Sequence, residues 1–189
     1  MYKNIFLYLT ILLFVGCGGV NEITKKLTSQ KVDIPFNESK YRSDNDYFRA
    51  NQSAKSDDIS TAKIIATQLA NEALATIIGN LIELTNDTYI KQIGVGKEVE
   101  SKRQFEQLGG SVVSQQLKRS IVIGEEVFTD SDGYFTYWIV VELSAKPILN
   151  EIVDKISDDK ELKLGFDKKA YEETYKKKLE EYKKAQNAK

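Results

Sequence analysis

The 189-residue chain has no histidine, one cysteine, two prolines, one tryptophan and one methionine. Without histidine, the commonest general base, the commonest transition-metal ligand and the ordinary neutral-pH switch are all missing. Serine–histidine and cysteine–histidine hydrolases are therefore excluded, as are zinc sites built on imidazole or thiolate. A single thiol cannot close an internal disulfide. Excess charge is absent too: 27 basic and 28 acidic side chains give a formal charge of −1. That balance offers no electrostatic footprint for nucleic acid, so no nucleic-acid partner is expected. Only carboxylate, lysine, tyrosine or serine–lysine chemistry is left open.

The one cysteine sits in "LFVGCGG", residues 13–19, just past the longest apolar run. Ile5 to Val15 are apolar except for Thr10, with Lys3 as the single early positive charge. As a helix this run is about 16 Å long, roughly half a bilayer core and too short to cross it. A basic start, an apolar core and small residues at a cut site describe a secretory signal peptide. "FVGC" resembles the lipobox of bacterial lipoproteins, with Phe14 standing where that pattern usually carries Leu or Val. The resemblance implies a diacylglyceryl group on Cys17, cleavage before it and acylation of its new amino group. Two or three acyl chains hold a protein stably on a membrane, where one holds it only marginally. Gly18, in place of an inner-membrane retention aspartate, favours the outer membrane. Residues 1–16 are thus read as signal peptide and 17–45, polar and interrupted by Pro35, as a lipidated tether.

The folded part should begin with a short strand, Tyr47 to Ser53, with Phe48 and Ala50 on one face and Tyr47, Arg49 and Asn51 on the other. Asp57, Asp58 and Ser60 offer the acidic first turn and N-cap of a helix over about 60–85. Its core stripe is Ala62, Ala66, Leu69, Ala73, Ile77, Leu81 and Leu84, widened by Ala70, Leu74 and Ile78. Asn86, Asp87, Gly94 and Gly96 mark a connection. A second helix is expected from Lys97 to Arg119 with Phe105, Leu108, Val112 and Val113 inward, weakened by Gly109 and Gly110. Ile121 to Thr129 and Tyr134 to Leu143 read as a hairpin around "DSDG". Tyr137, Ile139, Val141 and Leu143 share one face, and Thr136, Trp138 and Val140 the other. Ser144 can cap a third helix that tolerates Pro147 in its first turn. A charged terminal helix, 167–185, carries Tyr171, Tyr175, Leu179 and Tyr182 along one side. Its expected ion pairs are Glu172–Lys176, Glu173–Lys177 and Glu180–Lys184.

The fold class that follows is α+β: a small, mainly antiparallel sheet with two long helices on one face and a peripheral C-terminal helix. The order of elements, with "TAKIIATQLANEALATII" and "FTYWIVVELSAKPILNEIV", resembles the LPP-twenty family of small bacterial surface lipoproteins. The family's domain is similar to the amino-terminal domain of a flagellar T-ring assembly protein. The match covers about 46–157 and leaves 158–189 as a charged helical tail. It implies an envelope protein acting by contact, with an envelope protein partner, and it transfers no catalytic residue.

Other motifs yield little chemistry. "STAK", Ser60 to Lys63, fits the S-x-x-K pattern of penicillin-binding proteins, but "SDN" at 43–45 precedes it and K-T-G is missing. In "GVGKE", 94–98, Lys91 stands where a phosphate loop needs its first glycine, and Glu98 where it needs Ser or Thr. Asp130 and Asp132 lack the further oxygens of a calcium loop. Glu125 and Glu126 are neighbours on a strand and point to opposite faces. Asp158 and Asp159 read as a helix start. The tyrosine stripe reads as packing onto the domain, or more sharply as a partner-binding helix. No catalytic residue, cofactor or metal is expected, and Cys17 is the one site. The leading functional expectation is a non-enzymatic, lipid-anchored structural, assembly or interaction module. The alternative is a lipid-anchored binder of a cell-wall fragment or lipid, using an exposed aromatic face around Trp138.

Overall fold

The structure, a computed structural model, describes residues 33–93 and 98–187. Cys17, the apolar run before it, and Gly94 to Lys97 lie outside the described residues. The compact unit runs Ile34–Lys189 and is α+β. Its strands are β1 (Tyr47–Ser56), β2 (Ile121–Thr129) and β3 (Phe135–Ser144). Its helices are α1 (Ile59–Ile93), α2 (Glu98–Leu117), α3 (Ala145–Asp158) and α4 (Lys168–Asn187). The sheet is antiparallel in the order β1-β3-β2, so the hairpin's second strand is central.

Alternation fixes the inner face. Phe48 and Ala50 on β1 and Tyr137, Ile139, Val141 and Leu143 on β3 are all buried, and α1 lies across these two strands. Ala62, Ala66 and Ala70, four residues apart, form the buried seam of the helix in its first half. Small side chains at that spacing let the helix axis approach the strands closely. The seam continues through Leu74, Ile78, Leu81 and Ile82. Leu69 and Leu84, expected inside, are exposed, and Ala73 and Ile77 are half-buried. The alanines thus set the contact line, rotating the larger residues off it.

The helix begins at Ile59, capped by Asp58. The Asp58 Oδ1 accepts from the Thr61 amide at 2.7 Å, and its carbonyl accepts from the Ala62 amide. Ser60 is inside the first turn and is not the cap. Nor does the helix stop near Asn86. Thr85, Asn86, Tyr89 and Ile90 continue the buried stripe, because α2 and α4 pack around them. The Tyr171 hydroxyl donates to Asn86 Oδ1 at 2.7 Å, and the Asp167 amide donates to the Tyr89 hydroxyl at 2.7 Å. Tyr89, Phe105, Phe166 and Tyr171 form an aromatic cluster, with centroids 5.3 Å apart for Tyr89–Tyr171 and 5.7 Å for Tyr89–Phe166. Tyr171, Tyr175 and Leu179 are buried there, so the terminal stripe packs onto its own domain and is not free for a partner. The expected ion pairs of α4 form in the other direction, Lys168–Glu172 and Lys169–Glu173, with Lys178–Glu181 and Glu180–Lys183 at i,i+3. Each such pair contributes a few tenths of a kcal/mol, about 0.2–0.5, too little to fix the choice.

At α3, Ser144 occupies the N-cap position with no side-chain capping bond, and the Ala145 amide donates instead to the Asp46 carbonyl at 2.8 Å. Asp158 ends α3 instead of starting a helix. Asp159 follows it and accepts from the Glu161 and Leu162 amides.

Two paired comparisons test this packing. A Cβ on Gly109 would lie 2.7 Å from Ile82 Cγ2, a branched and buried neighbour, whereas one on Gly110 meets nothing within 4 Å. Gly109→Ala should cost about 1–3 kcal/mol through overpacking, while Gly110→Ala should gain up to about 1 kcal/mol from helix propensity. Similarly, Tyr171→Phe strands the buried Asn86 carbonyl and should cost about 1–3 kcal/mol. Among the described residues the buried Tyr175 hydroxyl has no partner, so Tyr175→Phe should be neutral or stabilising. Urea unfolding midpoints read both comparisons; equal shifts within a pair would contradict the packing described.

Candidate functional site

β2 is the one strand α1 does not cover. Its register against β3 places Val122, Glu125 and Val127 opposite Val141, Ile139 and Tyr137, hence on the inner face. Ile121, Gly124, Glu126 and Phe128 point outward, and Ile123 is the extra residue of a bulge. Along the flank of α1 runs an open groove of about 490 Å³, lined by Ser60, Lys63, Ile64, Thr67, Gln68 and Asn71, all of that helix. Two bonds tie this flank to β2 and the residue before it: Lys63 donates to Glu125 Oε2 at 2.8 Å, and the Ser120 hydroxyl donates to Asn71 Oδ1 at 2.7 Å.

Lys63, which lines this groove, belongs to a titratable cluster with Glu125 and Tyr137. The Tyr137 hydroxyl also donates to Glu125 Oε2, at 2.7 Å, and the Lys63 ammonium lies 5.4 Å from the Tyr137 ring centre. The hydrogen bond to Glu125 raises the Lys63 pKa above the usual lysine value, and the bonds from Lys63 and Tyr137 lower Glu125. Burial first, then the Glu125 carboxylate, raises Tyr137. Such a lysine stays protonated at neutral pH and cannot take a proton from Ser60. The Ser60–Lys63 pair therefore lacks the activated nucleophile that S-x-x-K chemistry needs. Charge here joins helix to strand.

The outer face carries a second cluster. Arg49 donates from Nε to Glu142 Oε2 and from Nη1 to Asp44 Oδ2 and the Arg42 carbonyl, each at 2.6 Å. It also lies over the Tyr47 ring. Burial works to raise the Asp44 carboxyl. The hydrogen bond from Arg49 and those from the Asp46 and Tyr47 amides outweigh it and hold Asp44 below the usual carboxylate value. This cluster fastens residues 34–46, expected as tether, onto the sheet. Asn51 Nδ2 donates to the Pro35 carbonyl at 2.7 Å, and Phe36, with a left-handed φ of 60°, packs edge-on against Tyr41. A Cβ on Gly124 would stand 2.9 Å from the Phe36 ring, so only glycine fits beneath it. Val140, between Gly124 and Asn51 in the sheet, is buried although it faces outward.

The other sequence candidates are dispersed. Glu126 is outward, opposite Trp138, and on the other face from Glu125, as alternation requires. Trp138 is half-buried, flanked by Glu126 and Ser53, and not an exposed aromatic platform. Asp130 is occupied within the hairpin turn: it accepts from the Asp132 and Tyr134 amides and pairs with Lys55 at 2.6 Å, while Gly133 takes φ of 83°. Among the described residues no three or more carboxylates or thiols converge as a metal site. Sequence reasoning missed the clasp of 34–46. Its one visible signal was Arg49 on the polar face of a strand, with acids nearby. Comparison with known proteins adds nothing to this geometry: no family model, curated protein or solved structure matches the chain.

The Arg49 clasp makes an acid-limb prediction. A carboxylate whose folded pKa lies below its unfolded value stabilises the fold above the unfolded value, and loses that contribution as pH falls through the folded one. Asp44 is such a group. Asp44→Asn should therefore be less stable than the parent at pH 7, with the gap closing below the ordinary aspartate range near about pH 4. Urea midpoints across that range measure it, and a gap independent of pH would refute the assignment.

Proposed function

We propose that the protein is a lipid-anchored module of the bacterial cell envelope, attached through Cys17 and acting by contact without catalysis. The observation that carries the reading is "FVGC", which puts the chain's one thiol at the position lipoprotein acylation requires, behind an eleven-residue apolar segment. Its α+β unit, with an alanine-seamed helix on an antiparallel sheet, is compatible with the resemblance to the LPP-twenty family and its contact function. Internal commitment of the polar groups supports a non-enzymatic reading: Lys63, Glu125 and Tyr137 satisfy one another, as do Arg49, Asp44 and Glu142. Its partner on this reading is another envelope protein, and Gly18 favours the outer membrane.

The packed segment 34–46 shortens the span available between lipid and domain. From Cys17 to Ile34 the chain reaches at most roughly 55–60 Å when fully extended. The domain would then work close to the membrane surface.

Mass spectrometry of the protein extracted from membranes should show a chain beginning at Cys17 with added acyl mass. Cys17→Ser should abolish that mass while leaving the thermal midpoint of the domain unchanged. A membrane-bound chain with an unmodified Cys17, or a mature chain starting elsewhere, would overturn the proposal.

A further inference from the structure

The two edges of the sheet are unequal. On β1 the first half of the outer edge is closed by its own lead-in. The Ser43 hydroxyl accepts from the Arg49 amide at 2.9 Å and donates to the Arg49 carbonyl, while Asp44 engages both backbone groups of Tyr47. β2 has nothing comparable among the described residues: nine residues, paired on one side only. Its apolar side chains are open on both faces, Ile121 57 %, Phe128 49 %, Val122 47 % and Val127 45 % exposed, with Ile64 of the adjoining groove at 67 %. A long apolar edge of this kind is a template for another strand.

We infer that β2 pairs antiparallel with β2 of a second copy, across a twofold axis at Glu125, to make a continuous six-stranded sheet. The exposed apolar residues lie symmetrically about Glu125, so the edge is complementary to a copy of itself, and that makes a second copy of this chain the occupant. With Glu125 opposite its counterpart, Val122 meets Val127 and Ile121 meets Phe128, twice over. The first pair is inner-facing on both strands and the second outer-facing on both. Ile123, the extra residue, sets which side chains oppose one another. Without the bulge, Val122 would oppose Phe128 and Ile123 would oppose Val127. The bulge also leaves Glu126 facing Ile123–Gly124 of the other copy and not a second carboxylate. The central Glu125 side chains each arrive neutralised by their own Lys63 at 2.8 Å and Tyr137 at 2.7 Å. Four half-exposed apolar side chains and a nine-residue backbone edge per copy supply the apolar contact and the main-chain hydrogen bonds. The inference holds whether or not Cys17 is acylated.

The test uses the full chain carrying Cys17→Ser, which removes the native thiol, in a mild detergent. Val122→Cys and Val127→Cys are introduced separately. On oxidation, a mixture of the two variants should give a covalent dimer. Neither variant alone should do so, because only residues 122 and 127 oppose each other. Sedimentation of the Cys17→Ser chain at micromolar concentration should return twice the chain mass. Adding Val127→Lys should return one chain mass with an unchanged circular dichroism melt. A monomeric Cys17→Ser chain, efficient cross-linking by a single variant alone, or a dimer that survives Val127→Lys would each overturn the inference. So would protection of β2 amides from hydrogen exchange in a monomer, lost when residues 18–33 are deleted, since the edge would then be covered by the chain's own N-terminal segment.

Discussion

Everything in this fold hangs on one helix that does not break. At 35 residues α1 is about 52 Å long, whereas ten-residue strands span only about 33 Å. The helix must therefore overhang the sheet, and its two halves face different surroundings. The first half meets strands and carries alanine at its contact line. The second half meets α2, α4 and the loop before α4, and carries Thr85, Asn86, Tyr89 and Ile90 there. An overhang with that buried face cannot stand alone in water, since helices owe most of their stability to the packing of an apolar face. Both α2 and α4 are recruited to cover it, with Phe105 and Tyr171 as the aromatic contacts. The buried polar atoms are mostly accommodated in pairs, Tyr171 with Asn86 and Tyr89 with the Asp167 amide. Polar pairing of this sort fixes the angle and register of α4, where aromatic contact alone would tolerate sliding.

A sheet of three strands has two edges and two faces, and α1 can serve only part of one face. The lead-in segment serves part of the other. Phe36 rests over Gly124 and Val140, while Arg49 draws Asp44, Glu142 and the Arg42 carbonyl together. The same segment closes the β1 edge through Ser43. Coverage is therefore lopsided: β1 is shielded by helix, lead-in and edge cap, and β2 by little more than Phe36 over Gly124 and the Lys63–Glu125 tie. Apolar residues on β2 are left open because the helix lies off-centre, over β1 and β3.

Much of this was legible from period and turn chemistry. The strand over 47–53, the hairpin with Tyr137, Ile139, Val141 and Leu143 sharing one face, and the inward Phe105, Val112 and Val113 follow directly from alternation and helical spacing. The errors share a cause. Asn86 and Asp87 read as a break because asparagine and aspartate disfavour helix interiors, and nothing local reveals that Tyr171, 85 residues on, supplies the bond. Leu69 and Leu84 read as core because large apolar residues dominate a stripe, yet close approach at Ala62, Ala66 and Ala70 decided the axis. The 34–46 segment read as tether because it has no period. Its structure comes from one arginine and one glycine, Arg49 and Gly124, whose partners lie elsewhere in the chain. The groove beside β2 was not legible at all, since it results from how far α1 is displaced across the sheet.

These features bear jointly on how a module of this kind could recognise anything. Several polar groups on and beside the sheet are already engaged. Glu125 has two donors, Asp130 sits in its turn beside Lys55, and Arg49 has three acceptors. What the sheet leaves unengaged is backbone edge and apolar side chain, both concentrated on β2. Recognition through an edge takes its affinity from main-chain hydrogen bonds, and its specificity from which side chains fall on which face. The bulge at Ile123 then becomes a specificity element, because it dictates the face pattern a matching strand must have. Attachment to a membrane would reinforce such pairing. Confinement to a surface raises effective concentration without adding a contact, so an interface of modest area can still be occupied. If the chain is anchored as proposed, its anchor and its open, patterned strand edge would be complementary parts of one design.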